Sequence, residues 1–67
     1  MFDSHEAYYK ALMALKSRDY RSAVGFLKSA ENHFADSLEF RILLETTRLL
    51  LAVKEEIFEL ELETIEV

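Results

Sequence analysis

From Asp36 to Val67 the chain runs to its last residue without one Gly or Pro, and it is apolar on two sides of a helix at once. The segment opens on the helix-start signal Asp36-Ser37-Leu38-Glu39. Phe40, Leu43, Leu44, Thr47, Leu50, Leu51, Ile57 and Phe58 then recur at helical spacing, while Ile42, Leu49, Val53 and Leu60 fill a second side. A helix with two apolar sides needs two neighbours, and the 35 residues before it are too few to supply both.

Size sharpens that demand. At 67 residues this is one small domain, and a domain of that size buries only about 60% of the surface its unfolded chain exposes. The chain contains no cysteine, which excludes a disulfide framework and a thiolate zinc site and leaves oligomerisation as the common staple. With 51% hydrophobic and 31% charged residues, the composition is that of a folded helical protein rather than a disordered one. Met1-Phe2-Asp3 lacks the basic-then-apolar layout of a signal peptide, and no apolar run reaches the length of a membrane span, so the expected location is the cytoplasm.

The net charge of -5 is unevenly placed. Residues 1–35 hold five Lys/Arg against four Asp/Glu, residues 36–67 three against nine, and from Glu55 onward there are six acids and no base. That end would repel a phosphate backbone, and Lys10, Lys16, Arg18, Arg21 and Lys28 form no basic run, so nucleic acid is not an expected partner.

In chain order, the first helix is expected over residues 3–18, capped by Asp3 with Glu6 reaching back. Its apolar face is Tyr8, Ala11, Leu12 and Leu15, widened by Tyr9 and Met13. The second is expected over 20–34, where Tyr20, Ala23, Val24, Leu27, Ala30 and Phe34 form the most regular stripe in the chain. On another side Ser22, Gly25 and Ser29 stand at helical spacing beside Phe26. They are either a polar face or a shallow groove where a second helix backbone approaches. The third helix is expected over 37–61, followed by a tail over 62–67.

Asp36-Ser37-x-Glu39 repeats Asp3-Ser4-x-Glu6 at a distance of 33 residues, a period found in helix-turn-helix repeats. Ala11, Ala23 and Ala30 sit where two crossing helices need small residues once Arg18-Asp19-Tyr20 is set as a turn, and Ala23-x-x-x-Leu27 follows in the second helix. On these residues the chain resembles a tetratricopeptide repeat over roughly residues 4–37, plus the opening helix of a next repeat. Ala7, Lys10, Ala14 and Ala35 depart from that family's Trp, Leu, Tyr and Pro positions, while a one-residue shift would place Tyr8, Ala11, Leu12 and Leu15 in the apolar slots. The runner-up resemblance is to a microtubule-interacting-and-trafficking type bundle, through Asp19-Tyr20-x-x-Ala23. Either resemblance implies a protein-binding module.

A third helix of about 39 Å beside helices of about 21 to 23 Å overhangs the hairpin, with Ile57, Phe58, Leu60, Leu62 and Ile65 on show. The simplest cover is another copy of the chain, and Leu43, Leu50, Ile57, Phe58 and Leu60 are the expected contacts. A competing expectation is an adaptor that takes a peptide or partner protein at Tyr9, Ser22, Gly25, Phe26 and Ser29. Phe58, Leu60 and Leu62 also alternate with Glu59, Glu61 and Glu63 at the period of a strand, so a strand paired with its copy is an alternative end to the chain. Acids at a helix C-terminus oppose its macrodipole and favour an early stop.

No Gly-rich phosphate loop and no Ser, His and acid set stands at a recognisable spacing. His5 and His33 read as surface residues near helix ends rather than metal ligands or proton carriers. Tyr8 and Tyr20 read as core, with Tyr9 a candidate contact residue. The sequence therefore predicts an all-α, three-helix protein that assembles with its own copy, with no enzyme activity, cofactor, metal or membrane partner.

Overall fold

Alanine decides how the first two helices meet. The computed structural model describes residues 3–66, with side chains through Glu63, and forms α1 (Ser4–Lys16), α2 (Tyr20–Ala30) and α3 (Leu38–Glu66). Helices, turns and the three cap residues Asp3, Asp19 and Ser37 account for all the described residues, with no strand among them, so the protein is all-α. Ala7, Ala11 and Ala14 of α1 are buried against Ala23, Leu27 and Ala30 of α2. Side chains this small let the two backbones approach closely along their whole length. The line of closest packing is therefore the alanine line, and of the expected face of Tyr8, Ala11, Leu12 and Leu15 only Ala11 is fully buried. Leu12 and Met13 are left 44% and 51% exposed, with Tyr8 and Leu15 half-buried.

The turn between α1 and α2 closes without glycine. The Asp19 amide donates to the Ala14 carbonyl at 2.8 Å and the Arg18 amide to Leu15 at 3.0 Å, the paired bonds of a Schellman end. Its left-handed residue is Arg18, with φ 61°, where a side chain costs about 1–2 kcal/mol that glycine would not. Asp19 then caps α2 by accepting from the Ser22 amide at 3.3 Å. Its hydrogen bonds with Ser22, aided by the charge of Lys54, hold the Asp19 carboxyl below the usual carboxylate range. A depressed folded-state pKa stabilises the fold above the unfolded value of about 3.9 and loses that contribution as pH falls through the lower folded value. Melting curves of Asp19→Asn, which keeps an acceptor without the charge, should show a shallower loss of stability than the parent across that acid range.

α2 stops at Ala30, four residues short of the sequence expectation. Residues 31–36 are turns, although no Gly or Pro interrupts them. The cause is tertiary: Phe34 turns inward to meet Tyr8 at 5.1 Å and to stack on Phe40 at 5.1 Å with 20° between the planes. Had the helix continued straight, that stack would be lost. Ser37 begins α3, its hydroxyl accepting from the Phe40 amide at 3.2 Å. In α1 the corresponding cap is Asp3, which accepts from the Glu6 amide at 2.8 Å. The two four-residue echoes thus place their caps one residue out of step.

α3 lays its backbone along α2 alone, and α1 reaches it through side chains such as the Tyr8 and Phe40 rings, 5.6 Å apart. Phe40, Leu44 and Thr47 complete the core with Ala7, Ala11, Leu27 and Ala30. The buried Thr47 hydroxyl is satisfied by donating to the Leu43 carbonyl at 2.7 Å, so it adds no unpaired polar group. Lys54 donates to the Arg18 carbonyl at 3.2 Å and sits 5.5 Å from the Tyr20 ring, while Arg21 pairs with Glu55. These ties mark where the hairpin ends along α3, which continues as helix through Glu66. The sequence alternatives of a strand over residues 58–62 and a tail from residue 62 give way to unbroken helix, because a helix closes its hydrogen bonds without a partner strand. Val67 lies outside the described residues.

Candidate interaction face on α3

With 29 residues, α3 is about 44 Å long, against about 17 Å for the 11 residues of α2. Among the described residues, nine of the twelve large exposed apolar side chains belong to it: Leu38, Ile42, Leu49, Leu50, Val53, Ile57, Phe58, Leu60 and Leu62. At 100° per residue these fall into two sets. Leu38, Ile42, Leu49, Leu50, Val53, Ile57 and Leu60 form one stripe on the side opposite Phe40 and Leu44. It runs along the part docked on α2 as well as the overhang. Phe58 and Leu62 instead continue the Phe40–Leu44–Leu51 line past the end of the hairpin.

The expected contact residues divide in the same way. Leu50, Ile57 and Leu60 lie on or beside the outer stripe, between 41% and 56% exposed. Leu43 is half-buried and packs partly on the core. Phe58 stands in a notch with Tyr20, Leu51 and Lys54, where α3 leaves the hairpin turn. The side chain of Ile65 is outside the described set. Leu38, Ile42, Leu49 and Val53 complete the stripe and were absent from the expected contacts, although their i, i+4, i+11 and i+15 spacing places them on one helical face.

Flanking charge is asymmetric. Arg41 and Arg48 stand in the first half of α3, whereas Glu55, Glu56, Glu59, Glu61 and Glu63 crowd the second. Arg48 holds Glu45 at 2.9 Å across one turn, an exposed pair worth little by itself. The Arg41 guanidinium forms no ion pair among the described residues.

The hairpin's outer side is a shallow groove lined by Tyr9, Met13, Ser22 and Phe26. Tyr9 is 64% exposed there, while Phe26 is half-buried against the core. Ser22, Gly25 and Ser29 are exposed, Ser29 donating to the Gly25 carbonyl at 3.1 Å. A Cβ built on Gly25 would meet no atom within 4 Å, so within this chain no helix uses the small-residue line.

At the open end of the hairpin His5 and His33 meet edge to face at 4.8 Å, each also against Phe34. The sequence reads them as separate surface residues near helix ends and misses their meeting, which depends on the residue 31–36 turns folding back. Among the described residues no cluster of three His, Cys, Asp or Glu could hold a metal ion, and no helix is long and apolar enough to cross a membrane. No protein-family model matches the chain, nor does any curated protein or solved structure.

Proposed function

We propose that the chain is a protein-interaction module that assembles with its own copy through the outer stripe of α3. The observation behind this reading is the continuity of that stripe, seven large apolar side chains over most of a 29-residue helix and all facing away from the hairpin. Exposed apolar surface so contiguous marks an association surface on a small protein. Full burial of such a side chain contributes about 1.5–3 kcal/mol, so a half-covered one has about 1 kcal/mol left to gain. Seven from each of two copies offer roughly 14 kcal/mol, against an association cost of about 4–15 kcal/mol. Those magnitudes suit a reversible dimer.

A tetratricopeptide-like hairpin is part of the same proposal, supported by Ala11, Ala23 and Ala30 being buried where α1 and α2 cross. In this reading the hairpin stiffens one side of α3 and leaves the other free to pair. Sedimentation equilibrium at micromolar concentration should give at least twice the 7.8 kDa of one chain. A folded monomer would overturn self-association and leave binding of a different protein as the use of the stripe.

A further inference from the structure

Resting on that self-association, we infer that the second copy lies antiparallel to the first, with the two α3 helices overlapping along their full length. Ala52 is the midpoint of α3, so in this arrangement Arg41 stands level with the partner's Glu63, and Arg48 with the partner's Glu56. Arg41, Arg48 and Glu63 lie on one flank of the apolar stripe and Glu56 at its adjoining edge, at intervals of about two turns. A twofold axis brings that flank of one copy against the same flank of the other. The Arg41 guanidinium, which forms no ion pair among the described residues, thereby gains a carboxylate. The same register stacks Leu50 on Val53 at the centre and sets Leu60 against Leu43 at both ends.

A parallel copy fails on charge. It would set Glu56 and Glu63 beside the partner's Glu61, acid against acid, and would align two helix C-terminal halves that already oppose their own macrodipoles. Antiparallel packing moves each acidic half next to the N-terminal half of the other helix, where Arg41, Arg48 and the positive end of the dipole stand. One like pair remains, Glu45 level with the partner's Glu59. Arg48, already bonded to Glu45, lies beside it.

That like pair gives a clean test, because the chain has no cysteine and both residues are exposed. Glu45→Cys and Glu59→Cys chains, one carrying a size tag, are mixed and treated with a short bis-maleimide. The expected product is the mixed 45–59 dimer, at least about tenfold over either 45–45 or 59–59, since like positions lie about 21 Å apart along antiparallel axes. Predominant 45–45 and 59–59 products overturn the orientation while leaving self-association standing. Sedimentation of the same chains before treatment separates the two failures, because a monomer there overturns self-association and this inference with it.

Discussion

Replacing Phe40 by Ala should abolish most of the cooperative folding of the chain. Phe40 is 1% exposed and is the largest fully buried side chain. Its ring touches Tyr8 of α1 and Phe34 of the turn before α3, while its backbone amide donates to the cap of α3. It joins all three helices at one point. A buried Phe→Ala change costs about 3–5 kcal/mol, and a chain of this length has roughly 3–10 kcal/mol in total. Circular dichroism should show a broad, low-temperature melt or none, with helix retained chiefly where it is propagated locally. The conservative Phe40→Leu should keep a sigmoidal transition at lower temperature. A cooperative melt unchanged by Phe40→Ala would mean that the aromatic cluster does not hold the hairpin to α3.

How much of this was legible depends on whether the signal was local. The caps Asp3 and Asp19 could be read from single residues, because a carboxylate three positions before the amide it accepts is a nearest-neighbour event. The third helix could be read from its period and its lack of any breaker. What misled was the assumption that the largest apolar residues define a helix's packed face. In α1 the alanines do, because close approach to α2 gains more contact than one wide Tyr and Leu face would. The end of α2 at Ala30 carries no sequence mark, since it is set by Phe34 stacking on a ring six residues later. At the candidate site the period revealed Leu50, Ile57 and Leu60, but not that Phe58 sits on a different side from them. That distinction needs the rotation of α3 to be fixed, and Phe40 and Leu44 docking on α2 fixes it.

Leu50→Asp together with Ile57→Asp should raise the dissociation constant of the assembly at least about a hundredfold, or about 2.8 kcal/mol, while leaving the chain helical. Both side chains are already 41–50% exposed in the single chain, so a carboxylate at either position can reach water when the copies are apart. In the paired state each would sit within the apolar seam, where an unpaired ion is costly to bury. Phe58→Asp provides the comparison, because Phe58 has similar size and exposure but lies on the hairpin side, in the notch with Tyr20 and Lys54. It should perturb the melting temperature more than the mass. If Phe58→Asp dissociates the assembly and the Leu50 and Ile57 pair does not, the copies meet at the overhang's inner line, and the outer stripe is free for another protein. If the pair alone dissociates it, the surplus apolar surface of α3 is satisfied by the chain's own copy, and the hairpin serves to turn one side of that helix away from the partner.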